Sequence, residues 1–224
     1  MSENIPILYS LQNCPYAMRA RMAIYSSQEQ VLLRAIKLNN KPDEMLLLSP
    51  KGSVPVLVVP DNKDNCSHMI IEESLEVMLW ALSRNDPDNL LLSEEKSTLP
   101  SMISFIIEFE YDFVLALSNF SSAKRYHDNN WIERRLECER YLQILEDKLT
   151  EGDFLFSQQE SLADIAIMPF IRKFARVEKK WFRESPYPKL RHWLNRYLQS
   201  PTFSKVMENH ELWINNRKDI YFGG

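Results

Sequence analysis

Glycine is scarce in this chain, with four residues in 224. Few positions therefore invite a left-handed backbone, which makes glycine-rich phosphate loops a poor fit and favours a mainly helical protein. Cysteine is scarce as well. Cys14, Cys66 and Cys138 are odd in number and far apart, which argues against a disulfide framework, and no zinc-like spacing of cysteine and histidine is present. No basic segment followed by an apolar signal core opens the chain, and no apolar run approaches the roughly 20 residues that span a bilayer. A reduced, cytoplasmic setting away from the membrane is the expectation. Nor is there an excess of positive charge: 27 Lys and Arg stand against 31 Asp and Glu, a formal charge of -4. Long-range attraction to nucleic-acid phosphates is therefore lacking.

What is present is 45% hydrophobic residues, enough for one large domain or two modest ones. Residues 6–11 read as a strand and 15–26 as an amphipathic helix, with Met18, Met22 and Ile24 beside Arg19 and Arg21. A strand over 30–38 and a short helix over 42–48 follow, ended by Pro50-Lys51-Gly52. An apolar strand over 54–59, a polar hairpin connection over 62–67, a strand over 68–71 and a helix over 72–82 complete a small mixed unit. Its βαβ and ββα halves make up about one compact domain. The polar, proline-containing stretch "SRNDPDNLLLS" reads as a linker. Beyond it the pattern is helical over 98–120, 131–149, 162–177, 189–198 and a short piece after Pro201, and no strand signal returns. The predicted boundaries are 1–83, a linker and start of the second domain at 84–97, and an all-helical domain over 98–224, an α+β two-domain arrangement.

The chemistry centres on "NCPYA". A cysteine at the first turn of a helix faces unpaired backbone N–H groups and the positive end of the helix dipole, a setting that favours thiolate over thiol. Pro15 suits that turn, because its missing N–H had no intrahelical partner. A Cys-x-x-Cys pair would place a second thiol at position 17, where Ala17 stands. Cys14 therefore needs its resolving thiol from solution or from a partner, which points to monothiol exchange. Burial at a strand-to-helix junction is the plain alternative for such a cysteine. In "KGSVPVLVV", Pro55 lies at the start of a strand and cannot donate to a ladder. In "IEESLEVML", Glu73 and Ser74 open a helix, where they either cap it or bind the amine and carboxylate of an amino-acid-like ligand. Lys41 is placed to meet a second carboxylate or simply to be solvated.

Together these pieces resemble the cytosolic glutathione transferases, in particular the cysteine-containing omega-like and related bacterial members. The resemblance implies a thioredoxin-like N-terminal domain followed by an all-helical C-terminal domain. It makes Cys14 the residue that forms a mixed disulfide with glutathione, and "SVPVL" the cis-proline segment, with Val54 and Pro55 beside the cysteinyl part. It gives Glu73 and Ser74 the γ-glutamyl end and Lys41 the glycyl carboxylate. "SLADIAIMPFI" matches the family's helix start, in which Ser161 and Asp164 form a reciprocal capping box, a folding signal and not a catalytic one. Cys66 in its loop and Cys138 in "WIERRLECERYLQIL" read as an ordinary loop thiol and a packed one.

The function so implied is glutathione-dependent thiol transfer: thiol–disulfide exchange, with dehydroascorbate reduction or deglutathionylation open to the same chemistry. One rival is conjugation of glutathione to hydrophobic electrophiles, with Ser10 or Tyr9 assisting ionisation. Another is a non-enzymatic partner-binding protein of the same fold. A second-substrate pocket is expected over Cys14, with Tyr111, Phe120, Phe170, Phe174 and Trp181 as its lining, although aromatics at helical spacing also serve as core. A homodimer follows from the resemblance. The small molecules so implied are glutathione and a hydrophobic electrophile or mixed disulfide, and the chemistry asks for no metal and no nucleotide.

Overall fold

The computed structural model describes residues 5–61, 68–94 and 96–224. Cys66 and the hairpin predicted over 62–67 lie outside the described residues. In chain order the elements are β1 (Ile7–Ser10), α1 (Pro15–Ser27), β2 (Val31–Ala35), α2 (Asp43–Leu48), β3 (Val56–Pro60), β4 (His68–Ile71) and α3 (Ser74–Arg84). Then come α4 (Thr98–Tyr126), α5 (Trp131–Glu151), α6 (Leu162–Val177), α7 (Lys179–Glu184), α8 (Pro188–Leu198), α9 (Pro201–Val206), α10 (Trp213–Asn216) and β5 (Tyr221–Phe222). The chain divides into two compact units, one of residues 1–88 with 201–224 and the other of residues 89–200.

The first unit is built on a mixed sheet of order β4-β3-β1-β2-β5. β1 runs parallel to β2 and antiparallel to β3, while β4 and β5 pair antiparallel at the two ends. Leu8 and Tyr9 of β1 are both fully buried, as expected for a central strand covered on both faces, which is why it reads as an apolar run without alternation. α1 packs against α3 and α9. The amphipathic reading of α1 needs correction: Arg19 and Arg21 are only 3% and 2% exposed. A helix enclosed on several sides cannot keep a solvated face, so its charged side chains find partners inside.

The C-terminal segment departs from the all-helical expectation over 98–224. Residues 201–224 cluster with the sheet unit, where α9 packs on α1 and β5 adds a strand beside β2. Trp213 carries much of this attachment. The Arg34 guanidinium lies 3.9 Å over its ring and donates to the Tyr9 hydroxyl at 2.7 Å, while Trp213 Nε1 donates to Glu44 Oε1 at 2.6 Å. Arg217 pairs with the same Glu44 carboxylate. Gly223 closes the strand with φ +80°, and a Cβ there would meet the Glu29 carbonyl oxygen at 2.0 Å, so only glycine fits.

The second unit is helical. Met102, Ile106, Phe109, Phe113, Leu117 and Phe120 of α4 form a buried stripe, the spacing that made it legible as a helix. Phe174 of α6 gathers the rings of Phe113, Phe120, Trp181 and Phe182 at centroid distances between 5.5 and 6.2 Å. Leu90 and Leu91, read as linker, are buried, and the Leu90 carbonyl accepts the Leu162 N–H at 2.7 Å at the start of α6. Glu146 of α5 accepts the N–H groups of Lys189 and Leu190 at 3.0 and 2.8 Å, capping α8 from another helix.

Asp164 is the most heavily bonded buried acid of this unit. Its Oδ2 accepts the Ser161 N–H at 3.1 Å and the Ser161 hydroxyl at 2.6 Å, and its Oδ1 accepts the Leu155 N–H at 3.0 Å and Trp193 Nε1 at 2.9 Å. Burial pushes the carboxyl above its ordinary value while these bonds pull it back. The capping box read from sequence is present, and it extends to two groups the sequence did not reveal. Asp164→Ala is expected to lower the unfolding free energy by about 3 kcal/mol, because several donors lose their acceptor where water does not reach. Urea unfolding followed by tryptophan fluorescence checks this, and a loss below about 1 kcal/mol contradicts the bonding described here.

Candidate functional site

Cys14 is the N-cap of α1, with extended φ and ψ of -73° and 124°, and Pro15 occupies the first helical position. Its carbonyl accepts the Met18 N–H at 2.8 Å and its own N–H reaches the Leu11 carbonyl at 3.2 Å, so both backbone groups are committed to the turn. The side chain is half-buried against a cluster that includes Tyr9, Ala17, Val54 and Val56. Contrary to the simplest expectation, the sulfur takes no capping hydrogen bond from the first-turn N–H groups. It turns toward the Val54 carbonyl oxygen at 4.0 Å. Val54 and Pro55 are joined by a cis peptide bond and lead directly into β3.

The segment before Val54 is held from two directions. Gly52 has φ +61°, and a Cβ at that position would come within 3.0 Å of the Lys41 ammonium. Lys41 thus lies against this turn and not free in solvent. Ser49, the C-cap of α2, donates its hydroxyl to the Glu72 carboxylate, and Lys51 pairs with Glu73 at 2.6 Å. Glu73 raises the Lys51 ammonium above its ordinary value through this bond. Glu73 is the N-cap of α3 and Ser74 its first helical residue. Ser74 is 3% exposed, and its Oγ accepts both Nε and Nη2 of Arg19 at 2.9 and 2.8 Å. Cys14, Lys41, Val54, Pro55, Glu73 and Ser74 therefore sit on segments tied to one another within the sheet unit.

The hydroxyl alternatives are engaged elsewhere. Tyr9 is fully buried and its phenol is pushed up by burial, against the partly opposing Arg34 charge. Ser10 is buried and its Oγ accepts from Arg21. Arg21 also donates to the carbonyls of Leu11 at 3.3 Å, Gln12 at 2.7 Å and Val206 at 3.0 Å, so it holds the loop before Cys14 to α9. A cavity of about 230 Å³ lies beside that loop, bordered among others by Gln12, Asn13, Lys37 and His210. No periodic signal marks such a cavity, because its walls come from three distant stretches of chain.

The five aromatic candidates for a second-substrate pocket belong to the helical unit. Phe120, Phe170 and Phe174 are packed core, whereas Tyr111 is 83% exposed and Trp181 half-buried, with Arg135 4.3 Å over its ring. The spacing of the three phenylalanines reflects the packing of α4 against α6, while Tyr111 points to solvent and Trp181 belongs to α7. Among the described residues no cluster of His, Cys, Asp or Glu side chains is arranged to hold a metal ion, and no helix is long and apolar enough to cross a membrane.

A thioredoxin-like sheet unit with a thiol at the N-cap of its first helix, followed in the chain by a helical unit, defines a class of two-domain thiol proteins. Residues 8–95 match the glutathione S-transferase N-terminal domain and residues 108–201 the glutathione S-transferase C-terminal domain. The chain belongs to the glutathione S-transferase superfamily. Among its relatives, the probable glutathione S-transferase DHAR1, cytosolic, of Oryza sativa subsp. japonica is 29% identical over 167 residues, covering 71% of this chain and 66% of that protein. Glutathione S-transferase omega-1 of Mus musculus is 24% identical over 197 residues, covering 88% of this chain and 78% of that protein. A glutathione transferase from Pseudomonas putida, solved with one glutathione disulfide bound per subunit, superposes with a TM-score of 0.79 at 15% identity and covers 94% of each chain.

The described thiols differ sharply in environment. Cys138 is fully buried in α5, and burial, with Glu137 and Glu139 nearby, pushes its thiol up to about 12. At pH 8 such a group is thiolate in roughly one molecule in ten thousand. Iodoacetamide is expected to alkylate Cys14 in the folded protein at least about a hundredfold faster than Cys138, with Cys138 reacting once urea is added. Peptide mapping by mass spectrometry reads each site, and comparable rates at the two in the native state contradict the burial described.

Proposed function

We propose that this protein is a glutathione-dependent thiol transferase of the cysteine-containing, omega-like kind, working through a mixed disulfide at Cys14. The observation that carries the reading is the placement of one half-exposed thiol at the N-cap of α1, against the backbone of Val54, with alanine where a resolving cysteine would stand. Two further facts support it. Tyr9 and Ser10, the hydroxyls that a conjugating mechanism would use, are buried and bonded to Arg34 and Arg21. The names of relatives from rice and mouse belong to the DHAR and omega groups.

The cycle has two exchanges. The Cys14 thiolate attacks the glutathionyl sulfur of a mixed disulfide, the old S–S bond breaks, and the substrate thiol leaves carrying the electron pair. The thiolate of a second glutathione then attacks the glutathionyl sulfur on Cys14, releasing glutathione disulfide and restoring the enzyme thiolate. Dehydroascorbate is reduced with the same balance: two glutathione molecules give up two electrons and leave as the disulfide. Val54 and Pro55 hold the cysteinyl part, Lys41 the glycyl carboxylate, and Glu73 with Ser74 the γ-glutamyl end. A glutathione-rich, reducing cytoplasm keeps Cys14 reduced between turnovers, and the working form is a homodimer.

Cys14→Ser is expected to lower disulfide exchange with a glutathionylated peptide by roughly a hundredfold or more and to abolish the covalent glutathione adduct. Stopped assays with intact-mass measurement test both. Exchange that survives at the wild-type rate, or an adduct that maps to Cys66 or Cys138, overturns the assignment of the nucleophile.

A further inference from the structure

The last residues of the chain run beside β2 and are held to it at two places. Leu212 bridges Ala35, and farther on Tyr221 and Phe222 pair with Leu32 and Val31 while the Leu33 N–H donates to the Ile220 carbonyl at 2.7 Å. Between these two attachments lies α10, with Trp213 buried at its start. The Arg34 guanidinium of β2 lies 3.9 Å over the Trp213 ring, and Trp213 Nε1 donates to Glu44 Oε1 at 2.6 Å. Arg217 ends α10 in a left-handed turn, φ 56°, and its guanidinium pairs with the same oxygen of Glu44. Burial pushes the Glu44 carboxyl up, yet the Trp213 bond, its own N–H and the charges of Arg217 and Arg34 outweigh that and hold it below its ordinary value.

Glu44 belongs to α2, a helix of six residues with one buried side chain, Met45. So short a helix has little stability of its own and takes its place from whatever grips it. Three contacts grip α2: Met45 joins the cluster that includes Tyr9 and Val54, Ser49 donates to Glu72, and the tail holds Glu44. Lys41 stands just ahead of Pro42, the N-cap of α2, and its ammonium lies over Gly52. The placing of α2 therefore sets where that ammonium stands.

We propose that Trp213 and Arg217 form a clasp on α2: they are positioning residues that act through Glu44 to hold the Lys41 ammonium where the terminal carboxylate of glutathione arrives. The proposal rests on the functional reading above and gives the C-terminal segment a share in glutathione affinity without contact to the ligand. The division of labour within the clasp follows from its chemistry. Trp213 contributes a donor on a rigid ring that stacking against Arg34 keeps in place, so its N–H has one direction to offer. Arg217 adds charge to the same carboxylate, which strengthens the bond beyond that of a neutral pair. Because both ends of the segment are fixed to β2, a pull on Glu44 is a pull toward the sheet.

Steady-state disulfide exchange by the full-length protein, with glutathione or its glycyl monoethyl ester as the reducing thiol, tests this. The ester keeps the thiol and the γ-glutamyl group and lacks the terminal negative charge. Trp213→Phe keeps a ring beneath Arg34 and removes the N–H. It is expected to raise the KM for glutathione roughly fivefold, with kcat within about twofold and the kinetics with the ester unchanged. In a Lys41→Ala background the same change is expected to add nothing, because both remove one interaction. An unchanged glutathione KM in Trp213→Phe, an equal loss with the ester, or additive effects in the double variant each overturn the clasp. Should Trp213→Phe fail to fold, Glu44→Ala decides, since it cuts the same bonds from the side of α2: a severalfold rise in glutathione KM with the ester unaffected supports the clasp, and a wild-type KM overturns it. Wild-type protein that exchanges no disulfide with glutathione refutes the functional reading itself, whereas wild-type exchange indifferent to Trp213 and Glu44 refutes the clasp alone.

Discussion

Two guanidinium groups buried on one helix organise the surroundings of the thiol. A charge removed from water must be met by hydrogen bonds, and α1 meets this demand in two directions. Arg21 gathers Ser10, the carbonyls of Leu11 and Gln12, and the Val206 carbonyl, so the loop that delivers Cys14 is bound to its own helix and to α9. Arg19 reaches across to Ser74 at the start of α3. Cys14 stands between these anchor points, at the place where the loop becomes helix, with its backbone groups already committed. Its sulfur is positioned by neighbours that are themselves positioned, which is what a nucleophile needs if the approach of a disulfide is to be in line.

The same economy of buried polar groups recurs in the helical unit. Asp164 joins the start of α6 to Leu155 and to Trp193 of α8, and Glu146 caps α8 from α5. Each carboxylate satisfies donors from more than one segment, so helices that are distant in sequence are fixed in register by hydrogen bonds as well as by aromatic packing. The C-terminal segment does a comparable service for the sheet unit. Trp213 and Arg217 converge on Glu44 of α2, the helix that follows Lys41, and β5 covers the edge of β2 that would otherwise present unpaired backbone groups.

Much of this was legible along the chain because it depends on neighbours in sequence. The proline after Cys14, the missing second cysteine, the Val54-Pro55 step into a strand, the acid-serine helix start at Glu73 and the Ser161–Asp164 box are all short-range signals, and the periodicity of α4 exposed its core stripe. Where long-range contacts rule, the reading was incomplete. α1 looked amphipathic because its two arginines resemble a solvated face until three neighbours are packed around them. Leu90 and Leu91 looked like linker because the surrounding residues are polar. Phe120, Phe170 and Phe174 carried the spacing of a helix seam, which is the same whether a ring lines a pocket or fills a core.

By itself the sequence determined the order of elements from β1 to α6, the placement of a thiol at the start of α1 and the absence of a local resolving partner, since these are properties of residues a few positions apart. Only the tertiary structure decided where the buried charges of Arg19 and Arg21 find acceptors, that the C-terminal segment returns to complete the sheet, and that the sulfur turns to the Val54 carbonyl. Those outcomes join residues between nine and nearly two hundred positions apart, and no local propensity records which distant donor meets which acceptor until packing has excluded water from between them.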